Sequence, residues 1–226
     1  MIKKVKKIFK GFSKSLPLSG RYEDIFDLLN EYTMIPKDIY IANLELAEKY
    51  KKIKGAVVEC GTWKGGMIAG ISLVLEKDRN YYLFDSFEGL PPVKEIDGTA
   101  AKKWQSDKDS EIYFDNCTAS EDDVKAAMEI AGTNNYLIEK GWFDKTLPSA
   151  KLNGGIGILR MDADWYDSTM EILNNLFPLV NKGGIIIIDD YYFWEGCSKA
   201  VHDYLSKYKR TEKIRSYKGV CYIIKD

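Results

Sequence analysis

The chain has 226 residues, of which 45% are hydrophobic and 30% charged, and its formal net charge is -1. This length accommodates one full α/β domain, and the composition is typical of a globular protein rather than a disordered or membrane-spanning one. Because 33 basic and 34 acidic side chains nearly cancel, no overall field recruits nucleic acid. The expected partner is therefore a small molecule.

The start of the chain is basic, and residues 1–18 lack the apolar run and the cleavage site of a signal peptide. The four cysteines form no CxxC pair, so neither a zinc site nor a disulfide framework is predicted, and we expect a cytoplasmic location. Apolar residues recur at helical spacing in this segment, which fits a helix on an anionic membrane surface or a helix packed on the domain or on a second subunit. We favour the packed helix. Stable membrane insertion is not expected, and a homo-oligomer is compatible with the pattern.

Apolar periodicity divides the rest of the chain into alternating helices and strands. Helices are predicted within residues 22–50, with a break at Pro36, and over 67–75, 124–130, 168–180 and 198–208. Strands are predicted over 56–59, 81–84, 135–138, 156–161 and 185–188, and a terminal hairpin pairs 212–216 with 220–224 through a tight turn at 217–219. A long polar region covers residues 86–120.

The predicted strand at residues 185–188 is apolar at every position. Such a strand is covered on both faces, as in a parallel sheet flanked by helices. We therefore predict an α/β fold with a Rossmann-like, doubly wound, mostly parallel sheet and a C-terminal antiparallel hairpin. Residues 1–50 would form an N-terminal helical extension packed on a domain that covers residues 51–226.

A glycine-rich segment, VVECGTWKGG, follows the first predicted strand, where doubly wound folds bind their cofactor. Glycines let the backbone turn tightly and approach a ligand, but this spacing is not GxGxxG, which disfavours a dinucleotide. Glu59 would repel a phosphate, whereas it suits the cationic methionine part of S-adenosylmethionine. Asp85 ends the second strand and is placed to accept hydrogen bonds from the ribose hydroxyls. The alternative is a loop that only makes room for the next helix.

Four aspartates follow two neighbouring strands: Asp162 and Asp164 after the fourth, Asp189 and Asp190 after the fifth. The carboxyl ends of parallel strands lie side by side, so these carboxylates should converge. Like charges at close range raise each other's pKa unless a cation neutralises them, and oxygen ligands suit Mg²⁺ or another divalent cation. The alternative is that the aspartates are helix caps or turn residues.

A divalent cation lowers the pKa of a coordinated hydroxyl, and a nearby free carboxylate can then take the proton. The constellation therefore predicts methyl transfer to an alcohol of a small molecule. We expect Asp167 and Ser168 to cap the helix that follows the fourth strand. The spacing of the aspartates is not that of an EF-hand, which disfavours a calcium loop.

Six ordered segments, within residues 31–203, resemble the macrocin O-methyltransferase family of TylF-like sugar O-methyltransferases. They are EYTM (31–34), VVECGTWKGG (57–66), FDSFEGLPP (84–92), KGWFDKTLP (140–148), LRMDADWYDST (159–169) and GGIIIIDDYYFWEGCSKAV (183–201). The resemblance implies a class I methyltransferase domain that binds S-adenosylmethionine and Mg²⁺. Its acceptor would be a hydroxyl of a sugar, often one attached to a natural product.

The resemblance also implies roles for individual residues. The metal ligands would be Asp164, Asp189 and Asp190, and Asp162 would be the general base. Cofactor contacts would come from Thr33, Met34, Glu59, Gly61, Gly65, Asp85 and Ser86. Trp142 would stack near the adenine or serve in packing.

One departure from the family pattern is Asp-Ala-Asp-Trp at 162–165, where members more often have Asp-Gly-Asp-Leu, and we expect Trp165 to reshape the acceptor pocket. Residues 93–120 are where a lid would lie.

Three other functions fit parts of the pattern. A catechol-type O-methyltransferase uses the same metal chemistry, but its site usually ends in Asp-Asn and its base is usually a lysine. A nicotinamide-dependent oxidoreductase would need a GxGxxG turn, which the sequence lacks. A binding protein that keeps the cofactor site without catalysis would not need the four carboxylates.

Overall fold

The computed structural model describes residues 18–75 and 79–226, so the basic segment at the start of the chain lies outside the described residues. Within them, seven strands form one sheet in the order β3-β2-β1-β4-β5-β7-β6. The strands are β1 (Ala56–Cys60), β2 (Tyr81–Asp85), β3 (Tyr136–Lys140), β4 (Ile156–Met161), β5 (Val180–Ile188), β6 (Ile214–Tyr217) and β7 (Val220–Ile224).

Strands β1 to β5 pair in parallel, and β7 pairs antiparallel with both β5 and β6. The predicted mostly parallel sheet with a terminal hairpin is confirmed. Lys218 and Gly219 both have positive φ in the hairpin turn, at 47° and 87°. This backbone matches the twist of paired strands. The chain reverses its direction of strand addition between β1 and β4, and doubly wound folds bind ligands above such a reversal.

Helices cover both faces of the sheet. They are α1 (Leu18–Leu29), α2 (Lys37–Lys49), α3 (Gly66–Val74), α4 (Gly98–Ser106), α5 (Glu121–Ala131), α6 (Phe143–Thr146), α7 (Tyr166–Leu176) and α8 (Glu195–Lys207). Helices α1, α2, α3 and α5 pack with Ile185 and Ile187 of β5 in one apolar cluster. Helices α7 and α8 pack with Ile186 and Ile188 in the other. Strand β5 is therefore buried on both faces, as predicted.

Three elements differ most from the sequence-based expectation. Helix α7 ends at Leu176 and β5 begins at Val180, so the helix is shorter and the strand longer than predicted. Pro178 has no amide hydrogen with which to continue the helix, and the segment 177–179 forms a 3-10 turn. Helix α4 was not predicted inside the polar region, because Ala101 and Trp104 are its only buried residues.

Residues 18–50 pack through α1 and α2 on the face that contains α3. The division of the chain at residue 50 stays a prediction, because no boundary between separate units is defined here. In the ranges described, no helix combines the length and the apolar character needed to cross a bilayer.

Candidate active site

A cavity of about 1010 Å³ opens at the carboxyl ends of β1, β2, β4 and β5. Its wall brings together most of the predicted site residues, which come from segments far apart in the sequence. The predicted cofactor contacts in its wall are Thr33, Met34, Glu59, Gly61, Asp85, Ser86 and Trp142. The aspartates in its wall are Asp162, Asp164, Asp189 and Asp190.

The turn after β1 brings the backbone of two strand ends into contact. Gly61 has φ +84°, and a Cβ atom built on it would lie 1.6 Å from the Asp162 carbonyl oxygen. Only glycine fits at this approach. Gly65, with φ +82°, faces helix α5 instead, where a Cβ would lie 3.1 Å from Val124 Cα. Of the two glycines, only Gly61 is in the described cavity wall.

Asp85 ties this turn to the end of β2. Its Oδ2 accepts hydrogen bonds from the backbone N–H groups of Thr62 and Trp63, both at 2.8 Å, and its Oδ1 accepts one from Phe87 N at 2.7 Å. Burial raises the pKa of Asp85, and the three amide donors oppose that rise. Because Oδ1 accepts only one of these bonds, it retains a lone pair for a ligand hydroxyl. The predicted contact with a ribose stays a prediction.

Arg160 is a buried cation beside the carboxylates that the sequence pattern did not single out as a site residue. It is 1% exposed, and its Nη1 donates to Glu59 Oε1 at 3.0 Å and to Asp162 Oδ2 at 2.9 Å, while its Nη2 donates to Asp189 Oδ1. The available signal was a single charged residue in the apolar strand ILRM. The guanidinium therefore supplies part of the neutralisation that the sequence analysis attributed to a metal alone.

Glu59 is fully buried in the wall of the cavity, and only one of its carboxylate oxygens is paired. Nothing in residues 18–75 and 79–226 hydrogen-bonds Glu59 Oε2. Burial raises the pKa of Glu59 to about 8, although the Arg160 guanidinium opposes the shift. A buried acceptor without a partner is costly. This oxygen therefore suits a ligand that carries a hydrogen-bond donor or a positive charge.

Three of the four aspartates come together as a candidate metal centre. Asp162, Asp164 and Asp190 can each offer an oxygen, and these atoms lie within 4.8 Å of one another. Burial, with a contribution from neighbouring carboxylates, raises the pKa of Asp162 to about 6 and of Asp164 to about 8, and it raises the pKa of Asp190 strongly. A hard cation would stabilise the ionised form of these groups, so the donor set fits a divalent ion.

Asp190 also shapes the loop that carries Asp164. Its Oδ2 accepts hydrogen bonds from Ala163 N at 3.1 Å and from Asp164 N at 3.0 Å. The side chain of Asp164 accepts a hydrogen bond at Oδ1 from the indole Nε1 of Trp194, at 2.8 Å. Both contacts join the end of β4 to the segment after β5.

Part of the expected lid segment, residues 93–120, packs on the buried Trp165 and the partly buried Trp194. Trp104 of α4 packs edge to face on Trp165 and Trp194, with ring centroids 6.2 Å away in each case. Trp165 is 2% exposed and its indole N–H donates to Pro91 O at 3.0 Å. Trp104 and Trp194 are in the cavity wall, whereas Trp165 supports them from behind.

The lid segment also supplies the cap of α7. Asp97 Oδ1 accepts a hydrogen bond from Tyr166 N, the first residue of that helix, at 2.7 Å. The prediction that Asp167 and Ser168 cap this helix is wrong: no side chain of the adjoining residues caps it, and Asp167 pairs with Lys94. Sequence spacing could not show this cap, because Asp97 is 69 residues away from Tyr166.

Comparison with known proteins identifies relatives of this chain. The family model described as Macrocin-O-methyltransferase (TylF) matches residues 29–225. The demethyldecarbamoylnovobiocin O-methyltransferase of Streptomyces niveus is 34% identical over 174 residues, which cover 72% of this chain and 62% of the relative. The 8-demethyl-8-(2,3-dimethoxy-alpha-L-rhamnosyl)-tetracenomycin-C 4'-O-methyltransferase of Streptomyces olivaceus is 33% identical over 175 residues, which cover 74% and 64%. The matches thus span less than two thirds of these curated relatives.

Solved structures share the fold. The O-methyltransferase NovP has a TM-score of 0.69 to this chain at 29% identity, covering 86% of this chain and 82% of that one. The calicheamicin methyltransferase CalS11 has a TM-score of 0.61 at 18% identity, covering 95% of both chains, and at that identity it shows the fold alone. The predicted class I methyltransferase fold is confirmed by the sheet order and by the likeness to NovP.

Proposed function

The family model covers residues 29–225, so this chain belongs to the macrocin O-methyltransferase family, and we propose that it methylates a hydroxyl of a sugar or a sugar-bearing small molecule. S-adenosylmethionine would supply the methyl group, and Mg²⁺ or another divalent cation would lower the pKa of the acceptor hydroxyl. The observation that carries this proposal is one cavity whose wall includes both Glu59, a buried carboxylate with one oxygen unpaired among the described residues, and the group Asp162, Asp164 and Asp190.

The cofactor would occupy the half of the cavity above β1 and β2. Glu59 Oε2 is a buried acceptor that suits the amino group of the methionine part. Asp85 faces the same space and is held rigidly by three backbone amides. Trp142 is half-buried in the wall, where an aromatic ring can cover an adenine.

A binding measurement tests the cofactor half of the proposal. Glu59→Gln keeps the shape but cannot form the carboxylate that would pair with the ligand's ammonium group, so it should weaken the binding of S-adenosylhomocysteine by about 10- to 100-fold, the size of a hydrogen bond to a charged group. Isothermal titration calorimetry measures this, with Glu88→Gln as the matched control, because Glu88 lies on the loop after β2 and is exposed. Equal affinity of E59Q and wild type for S-adenosylhomocysteine would exclude a role of Glu59 in cofactor binding.

The metal would occupy the half above β4 and β5. Asp164 and Asp190 belong to the ligand set by the resemblance and also stand in the compact oxygen group. For the third ligand, the resemblance indicates Asp189, which in the structure pairs with Arg160. We propose Asp189 as that ligand and Asp162 as the base that takes the proton from the acceptor hydroxyl. A base must stand beside the ligands, and Asp162 does so.

Two substitutions separate these roles. Asp189→Asn should lower the affinity for Mn²⁺ in calorimetry and leave S-adenosylhomocysteine binding intact. Asp162→Asn should keep the Mn²⁺ affinity and lower kcat by about 10²- to 10⁴-fold, as expected for loss of a general base. If D162N loses the metal while D189N keeps it, the two roles are exchanged. Full activity of wild type in excess chelator would exclude the metal.

The acceptor class rests on the relatives. One of them is named for methylation at the 4'-oxygen of a tetracenomycin that bears a rhamnosyl group. We propose that the acceptor of this chain, too, is a hydroxyl on the sugar of a glycoside. Turnover of glycosides in a radiolabelled methyl-transfer assay, compared with vicinal aromatic diols, tests that choice, and methylation of the diols alone would indicate a catechol-type enzyme.

A further inference from the structure

Asp164 has a backbone conformation that is uncommon for residues other than glycine. Its φ is +55°, and the Trp165 N–H donates across it to the Ala163 carbonyl oxygen at 2.5 Å. A residue with a Cβ atom is rarely found in this left-handed region, and such a conformation persists only where its surroundings hold it. The carboxylate is consequently aimed by its neighbours rather than by a relaxed local backbone.

One of these neighbours acts on the carboxylate itself. Asp190 holds the backbone of Asp164, as described above, while the indole N–H of Trp194 donates to Asp164 Oδ1 at 2.8 Å. A donor on Oδ1 restricts rotation of the carboxylate, while both oxygens keep lone pairs with which to approach a cation. Outer contacts of this kind commonly orient the ligands of protein metal sites.

The indole of Trp194 is itself held in place. Trp104, Trp165 and Trp194 form a tryptophan cluster, in which the Trp194 ring lies 5.3 Å from that of Trp165 and 6.2 Å from that of Trp104. Because Trp104 belongs to α4, this helix contacts the ring that donates to Asp164. These two ring contacts, together with the hydrogen bond to Asp164, restrict the orientation of the Trp194 indole.

We propose that Trp194 is a positioning residue that orients the carboxylate of Asp164 for a divalent cation. This inference rests on the proposed function, because it assigns Asp164 to the metal site. It adds a group outside the carboxylate cluster to the determinants of metal affinity. The competing explanation is that Trp194 only packs, and that its hydrogen bond to Asp164 satisfies the indole without orienting the carboxylate.

The cluster provides its own matched controls, because each indole N–H has a different acceptor. Trp104 donates to Ile112 O at 2.8 Å, Trp165 donates to Pro91 O at 3.0 Å, and Trp194 donates to the carboxylate. Replacing each tryptophan by phenylalanine keeps an aromatic ring and removes one hydrogen bond. Only Trp194→Phe removes a contact to a proposed ligand.

The experiment measures the Mn²⁺ dissociation constant of the full chain by calorimetry for wild type, W104F, W165F and W194F. Urea unfolding of each variant measures the cost of the lost packing separately. We expect W194F to raise the dissociation constant by about 10- to 100-fold, as loss of such a contact does at other metal sites. We expect W104F and W165F to change it far less, because each of these variants keeps an aromatic ring beside Trp194 and its hydrogen bond to Asp164.

Two results would overturn the inference while leaving the proposed function intact. One is unchanged Mn²⁺ affinity in W194F, and the other is an equal loss of affinity in all three variants, which would indicate packing alone. If wild type itself binds no Mn²⁺, the metal part of the proposed function is wrong, and this inference, which depends on it, is wrong as well. The wild-type titration therefore distinguishes the two failures.

Discussion

At the scale of single residues, Arg160 offsets the negative charge that gathers at the carboxyl end of the sheet. Its buried guanidinium pairs with Glu59, Asp162 and Asp189, at the carboxyl ends of β1, β4 and β5. Removing one partner of a buried ion pair is costly because the other charges stay behind without compensation. Arg160 is therefore expected to matter for folding as well as for the shape of the site.

Arg160→Leu should lower the free energy of unfolding by about 3–5 kcal/mol, because three carboxylates lose their common partner. Urea titration at neutral pH measures this. The control is Arg215→Leu on the exposed side of β6, for which a change within about 0.5 kcal/mol is expected. Similar losses in both variants would show that the buried ion pairs contribute nothing beyond a surface charge.

The raised pKa of Asp164 has a consequence for stability. A carboxyl group whose folded-state pKa is raised binds its proton more tightly in the folded than in the unfolded chain. Its contribution to stability is therefore present at low pH and is lost as the pH rises from the usual value of 3.8 through about 8. Burial is the main cause, followed by the nearby charge of Asp162.

Asp164→Asn should gain stability relative to wild type as the pH rises from about 4 to about 8 in the presence of chelator, by about 1–3 kcal/mol. The asparagine stays neutral across this window, so it avoids the ionisation that wild type undergoes. Urea midpoints at several pH values measure the difference. A saturating divalent cation should reverse the order, and a difference that does not change with pH would contradict the burial of this charge.

Among the elements, the turn between β1 and α3 is the most constrained by close backbone contacts. Gly61 touches the Asp162 carbonyl, so the ends of β1 and β4 are fixed relative to each other. The motif VVECGTWKGG indicated a cofactor turn from its position after a strand. The reason for the first glycine lies in a partner about a hundred residues further along the chain.

Gly61→Ala should cost at least about 3 kcal/mol, because left-handed strain adds to a clash with the Asp162 carbonyl oxygen. Gly132→Ala is the matched control: it has φ +67°, but nothing lies within 4 Å of the added Cβ. Its cost should be about 1 kcal/mol, from the backbone strain alone. Thermal unfolding measures the stability of the two variants. Equal losses of stability would mean that the backbone around Gly61 shifts readily to accommodate the added Cβ.

The elements themselves were predicted well where the apolar pattern is regular. Strand β4 and strand β7 begin and end where predicted. Helix α4 was missed because only two of its residues are buried, which leaves too weak a pattern against its lysines. Its place is decided by Trp104 packing on Trp165 and Trp194, which is a tertiary contact.

Across the whole molecule, the sheet is buried most deeply at its centre and is exposed at its edge. Adjacent residues of β5 point to opposite helical layers, with Ile187 in the cluster of α1, α2, α3 and α5 and Ile186 in the cluster of α7 and α8. Strand β3 is the last strand on its side, and its Leu137 is 48% exposed.

Ile186→Ala and Ile187→Ala should each lower the free energy of unfolding by about 2–5 kcal/mol, because both layers are close-packed. Leu137→Ala should cost about 1 kcal/mol, in keeping with a side chain that is only half removed from water. Denaturant unfolding of the three variants provides the comparison. A small effect for one of the two isoleucines would mean that one face of β5 is loosely covered.

The sequence by itself determined the order of helices and strands, the parallel sheet, the glycine turn and the gathering of aspartates at two strand ends. These features follow from periodicity and from the topology of parallel strands, which neighbouring residues encode. Only the tertiary structure decided that Arg160 pairs with Glu59, that Asp97 caps α7 and that the Trp194 indole donates to Asp164. A hydrogen-bond partner depends on where side chains from distant elements point once the core has packed, and no local pattern carries that information.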